Sequence, residues 1–186
     1  MTMKTIASVA ALAGTLVCTA AEPQSEGAGL KRLGAMLDLS RGRVYKVPYL
    51  KGCFERMSKM GYNSVMLYTE DTYCLEGVPK WGLTRGGLTL EDVKEIKAAA
   101  DANGLELVPC IQTLGHLEKW LRWSDSADVR CNDSTVLVGE PKTYELIEKM
   151  VTFWQEGAGG SRIHVGMDEA WGFADDEYAK RNGTMK

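Results

Sequence analysis

Apolar positions along this chain fall into two alternating rhythms. Short runs at Ala35–Leu39 (broken only by Asp38), Ser64–Tyr68, Leu105–Ile111 and Arg162–Met167 have strand length, not helix length. Between them, apolar residues recur at the helical period. Leu50, Cys53, Phe54, Met57 and Met60 form one stripe over Tyr49–Met60, with Gly61 as a C-terminal cap. Val93, Ile96 and Ala100 follow a Thr89-x-x-Asp92 capping box and run to Gly104. Tyr144, Ile147, Val151 and Trp154 follow Pro141, and the glycines between 157 and 160 break that third helix. Helices alternating with nearly unbroken apolar strands predict parallel βαβ units. Two α/β architectures compete, a doubly wound sheet and a (β/α)8 barrel of the TIM type. The glycine pattern that cradles a dinucleotide phosphate after the first strand is absent, which weakens the first.

The polar residues sit where a barrel needs them. Asp38 and Arg41 follow the first strand, Glu70 and Asp71 the second, Gln112, His116 and Glu118 the third, and Asp168 and Glu169 the fourth. In a barrel these are the C-terminal ends of consecutive strands, where catalytic side chains gather. A barrel of this kind takes roughly 250 residues and eight strands. The 186 residues here hold about the first four βα units, so the expectation is an N-terminal half barrel. Such a half leaves sheet edges unpaired and uncovers apolar inner faces at Val65, Leu67, Val108 or their neighbours. Residues 1–186 alone are therefore expected to associate and to show negligible activity.

Composition narrows the partners. The chain is 45% hydrophobic and 25% charged, an ordinary globular balance. A net charge of −3 without a basic cluster excludes a nucleic-acid partner and suits a neutral or mildly polar substrate. The five cysteines form no CxxC pair and match no zinc spacing; Cys53 and Cys110 fall inside apolar runs and read as core. Residues 1–22 have the layout of a secretory signal, with Lys4 before the apolar run Thr5–Ala20 and small residues before Glu22-Pro23. That run is too short and too weakly hydrophobic for a membrane span. Residues 23–30 read as a linker and 31–186 as the catalytic half barrel. The expected location is secreted or periplasmic, or cytoplasmic if the first segment is no signal.

The segment carrying the most chemistry is Arg162-Ile-His-Val-Gly-Met-Asp-Glu-Ala170. A strand ends there in two adjacent carboxylates. Neighbours on an extended chain point in different directions, so the two meet different parts of a ligand instead of spanning one bond. One can donate a proton to a leaving oxygen while the other orients a second substrate group. That suits a sugar which supplies its own nucleophile, one of the exceptions to the two-carboxylate rule. Capping of a helix start by Asp168 or Glu169 is the competing structural reading.

His164-x-Gly166-x-Asp168-Glu169 resembles the signature of glycoside hydrolase family 20, the β-N-acetylhexosaminidases. Further matches are Leu37-Asp-Leu-Ser-Arg41, Met60-Gly-Tyr-Asn63, Leu67-Tyr-Thr-Glu-Asp71 and Leu107-Val-Pro-Cys-Ile-Gln-Thr-Leu-Gly-His116. The wording is similar to the hexosaminidase D-like and bacterial exo-hexosaminidase branch. The resemblance implies hydrolysis of terminal non-reducing β-linked N-acetylhexosamine by a retaining, substrate-assisted mechanism. Glu169 is then the general acid and later the base. Asp168 holds the 2-acetamido group, whose oxygen attacks the anomeric carbon to give an oxazolinium intermediate. Asp38, Arg41, Glu70, Asp71, His116 and Trp171 are the implied substrate-binding residues, and His164 lies behind them. No cofactor and no metal are implied. At the start of the first strand, Leu33 stands where the family often has a sugar-binding arginine, with Arg32 one step earlier. Trp81, Trp120 and Trp123 suit sugar stacking or simple packing equally. Three rivals stay open: a metal-dependent sugar isomerase, a non-catalytic carbohydrate-binding module, and an inactive truncated barrel.

Overall fold

The computed structural model describes residues 30–172 and 176–183. The signal expected at 1–22, and the linker at 23–30 save its last residue, lie outside the described residues. Strands β1 (Gly34–Asp38), β2 (Ser64–Tyr68) and β3 (Glu106–Cys110) alternate with helices α1 (Val47–Lys59) and α2 (Leu90–Ala102). Short α3 (Glu118–Leu121) and a 3-10 turn at Ser124–Ser126 precede the long α4 (Pro141–Ala158), and α5 (Asp176–Asn182) follows. The strands are parallel, in the order β1-β2-β3, with Leu37 beside Leu67 and Leu67 beside Pro109. Parallel neighbours joined by helices are the βαβ units that the apolar rhythm predicts.

Local chemistry explains the helix ends. Thr89 caps α2 through a complete capping box: its Oγ1 accepts from Asp92 N at 3.1 Å, and Thr89 N donates back to Asp92 Oδ2 at 2.8 Å. Pro141 opens α4 and the left-handed Gly159 closes it. Gly157, expected to break this helix, lies inside it. A Cβ there would stand 2.6 Å from Val93 Cγ1, so this glycine lets α4 approach α2 closely.

Alternation along the strands divides the sheet into two faces. Val65, Leu67 and Leu107 are buried with Leu50, Phe54, Ile96, Met150 and Trp154 from the helices in one continuous core. Burying each such side chain stabilises the fold by about 1.5–3 kcal/mol. The opposite parity holds Met36, Met66 and Val108, and Met36 is 53% exposed. Of the inner face expected to be uncovered, Met36 is exposed and Met66 half-buried, whereas Val108, expected to be uncovered, is buried at the β3 end of the row. Val65 and Leu67 are fully covered, because their parity faces the helices.

The fourth strand is shorter than expected. Among the described residues, Arg162–Met167 contributes one bridge, His164 beside Cys110, instead of a strand. His164 N donates to Pro109 O at 2.8 Å and Ile111 N donates to His164 O at 2.9 Å. The ladder then ends because Gly166 turns the backbone at φ +48°. A side chain could not replace it, since a Cβ would meet Ile111 O at 2.3 Å.

Candidate active site at the strand ends

The residues after β1, β2, β3 and the His164 bridge converge on one polar assembly. Gly166 turns the chain so that Asp168 and Glu169 come over the loop after β3. Gln112 Nε2 donates to Asp168 Oδ1 at 3.0 Å. His116 Nε2 stands 3.4 Å from Asp168 Oδ2 and 3.7 Å from Glu169 Oε2, so one imidazole serves both carboxylates. The Gln112 hydrogen bond holds the Asp168 carboxyl below its ordinary range; partial burial opposes this and the His116 charge assists it. Both acids keep side chains more than half exposed, while His116 is mostly covered.

Backbone conformation singles out the same residues. Only three non-glycine residues among those described have positive φ, and two of them are His116 (58°) and Glu169 (49°). Left-handed backbone at such residues costs on the order of 1–3 kcal/mol and concentrates at functional sites.

Glu70 and Asp71 lie deeper, 3% and 1% exposed. Arg85 donates from Nη1 to Glu70 Oε2 at 2.5 Å and to Ser40 O at 2.7 Å, and from Nη2 to Asp71. Arg41 Nη1 reaches Glu70 Oε1 at 2.9 Å. Tyr68 donates its hydroxyl to the same oxygen at 3.1 Å and accepts from Gln112 Nε2 at 3.2 Å. Burial first, then the Glu70 charge, pushes the Tyr68 phenol well above its ordinary range, so it stays a donor. A continuous path thus runs from Arg85 through Glu70, Tyr68 and Gln112 to Asp168 and His116.

The remaining candidates take distinct places. Asp38 Oδ1 accepts from Ser40 N at 2.7 Å and Arg41 N at 3.1 Å, shaping the loop that presents Arg41. The Arg41 guanidinium lies over the Tyr68 ring and is two-thirds exposed. His164 accepts from Gly166 N at Nδ1, 3.2 Å away, and touches Cys110 Sγ at 3.4 Å, behind the carboxylates. Trp171 is 76% exposed, while Trp81 and Trp120 are buried against each other, which removes them as stacking surfaces. Arg32, near the start of β1, pairs with Glu106. Burial, with the Asp168 charge, pushes the Cys110 thiol up to about 11, so it is a protonated core group and no nucleophile.

Sequence reading passed over Arg85 and gave no site role to Tyr68 or Gln112. Arg85 stands in an irregular loop with no periodicity around it, and Tyr68 ends an apolar strand. Gln112 was visible as polar at a strand end, but nothing local marked its partners. Among the described residues no group of three or more His, Cys, Asp or Glu side chains is arranged to hold a metal ion. A cavity of about 810 Å³ lies apart from these residues, between α4 and the entry to α2, lined by Leu75, Leu90, Phe153 and Glu148 among others. The strand-end assembly is the better candidate, because the strained backbone and converging carboxylates are there.

Known proteins similar to this chain include hexosaminidases. The chain is 30% identical to human hexosaminidase D over 149 residues and 29% identical to the Bos taurus hexosaminidase D over the same length. Each match covers 78% of this chain, and the chain spans 30% and 43% of those relatives. The structure of the Streptomyces coelicolor GH20 β-N-acetylhexosaminidase matches at 26% identity and TM-score 0.65, over 74% of this chain and 33% of that one. A Streptomyces plicatus β-hexosaminidase in complex with its product GlcNAc matches in fold at 24% identity and TM-score 0.67, over 80% and 35%. No family model matches the chain. The chain is thus similar in sequence to part of hexosaminidase D and in structure to part of the glycoside hydrolase family 20 enzymes. Its three-stranded parallel sheet corresponds to part of their barrel.

Proposed function

We propose that this segment supplies the acid and the acetamido-orienting carboxylate of a (β/α)8-barrel β-N-acetylhexosaminidase. The observation that carries this is the adjacent Asp168–Glu169 pair at a strand end, with His116 3.4 and 3.7 Å from the two carboxylates. Glu169 protonates the glycosidic oxygen and afterwards takes a proton from the attacking water. Asp168, held in its charged form by Gln112 and His116, orients and polarises the 2-acetamido group. The acetamido oxygen attacks the anomeric carbon, so configuration is retained without an ester to the protein. Arg41, in the loop after β1, and Trp171, two residues beyond Glu169, are both exposed and offer a hydroxyl-binding cation and a stacking surface. Asp38 and Glu70 hold Arg41, and Asp71 holds Arg85 beside Glu70. No described helix is long and apolar enough to cross a membrane.

The test uses the natural polypeptide that carries residues 1–186. Glu169→Gln should cut turnover of unactivated disaccharides about 10²-fold or more, and that of aryl glycosides with good leaving groups much less. Equal losses on both would remove Glu169 as the acid. A trapped glycosyl ester, or indifference to a thiazoline mimic of the cyclised acetamido intermediate, would sink the substrate-assisted route.

A further inference from the structure

We propose that Gln112 is the positioning residue of this site, transmitting the rigidity of the buried Arg85–Glu70 pair to Asp168 through Tyr68. This rests on the reading of Asp168 as the acetamido-orienting carboxylate.

The argument is one of hydrogen-bond direction. Glu70, flanked by Arg41 and Arg85, only accepts. The single Tyr68 proton is therefore committed to Glu70 Oε1, at 3.1 Å. Its oxygen is left to accept, and Gln112 Nε2 donates to it at 3.2 Å. The second proton on Nε2 goes to Asp168 Oδ1 at 3.0 Å. A reversed amide would set a carbonyl oxygen against both the carboxylate and the committed hydroxyl, so the network admits one orientation. Gln112 is completely buried, whereas Asp168 has a side chain 60% exposed. The amide is thus the fixed partner and the carboxylate the one being held. Gly166 leaves the room this requires, because a Cβ there would stand 2.8 Å from Gln112 Oε1.

Around the Asp168 carboxylate stand the Gln112 amide, the His116 imidazole, the buried Cys110 thiol, and Glu169 across the shared histidine. Of these, the Gln112 hydrogen bond contributes most to holding the carboxyl low, so its loss has a signature that a purely structural residue would lack.

The experiment follows the Asp168 carboxyl by carbon-detected NMR titration and measures thiazoline binding by calorimetry, in the wild type, Gln112→Leu, Gln112→Asn and Tyr68→Phe. Both Gln112 variants should raise the Asp168 titration midpoint toward that of an ordinary carboxylate and weaken thiazoline about tenfold or more, the range for a hydrogen bond to a charged group. Tyr68→Phe keeps the Gln112–Asp168 contact but frees the amide, and should move both readouts the same way by less. A folded Gln112→Leu protein with an unchanged Asp168 midpoint and unchanged thiazoline affinity overturns the proposal. Should the Gln112 variants fail to fold, an unmoved Asp168 midpoint in Tyr68→Phe overturns it equally. If the wild type binds no thiazoline, the hexosaminidase reading fails instead, and the titration still decides whether Gln112 holds Asp168.

Discussion

The two ends of the same strands obey different physics. Along their lengths, Val65, Leu67 and Leu107 bury apolar surface against α1, α2 and α4 and need only the right size and shape. At their C-terminal ends, Glu70, Asp71 and Gln112 are equally buried, but each polar atom needs a matching partner. The first region tolerates approximation. The second is directional, so a substitution there leaves stranded charges and not merely space.

The sharpest way to break this contrast is Arg85→Met. It leaves Glu70 and Asp71 buried beside an apolar side chain and should cost about 3–5 kcal/mol in denaturant unfolding, the usual result of removing one partner of a buried pair. Adding Glu70→Gln should recover part of that loss. No recovery would mean that Arg85 acts by packing alone. A smaller effect belongs to the apolar region: Gly157→Ala forces a methyl against Val93 and should cost about 1–3 kcal/mol, as overpacking does, with no change in the Asp168 titration. A shift at Asp168 would show that the two regions are coupled.

The smallest effect is electrostatic. Asp168 has a lowered folded-state pKa, so its contribution to stability is present above its unfolded value, near pH 3.9, and is lost as pH falls through the lower folded value. The side chain is mostly exposed, so solvent screening keeps this contribution small. Melting temperatures of the wild type and Asp168→Asn should differ slightly at pH 6 and converge below about pH 4. A gap that widens on acidification would reverse the sign argued for the Gln112 bond.

Much of this arrangement was legible in the chain before its structure. The strand-helix rhythm marked all three strands and both the capping box at Thr89 and the proline start of α4, because each depends on neighbours in sequence. The polar clusters at Asp38, Glu70, Gln112 and Asp168 were visible for the same reason: they end apolar runs. The sequence by itself also placed two carboxylates side by side after Gly166.

Only the tertiary structure decided which of these groups touch. Arg85 joins Glu70 across 15 positions and Gln112 joins Asp168 across 56, and no periodicity encodes such pairings. It also decided which parity of each strand meets the helices, exposing Met36 and covering Val65, because apolar residues occupy both faces of a parallel strand. The single bridge at His164 and the place of Gly157 inside a helix were likewise set by neighbours distant in the chain. Periodicity reports what a residue's own segment requires; a buried hydrogen bond or a close approach is a requirement of two segments together.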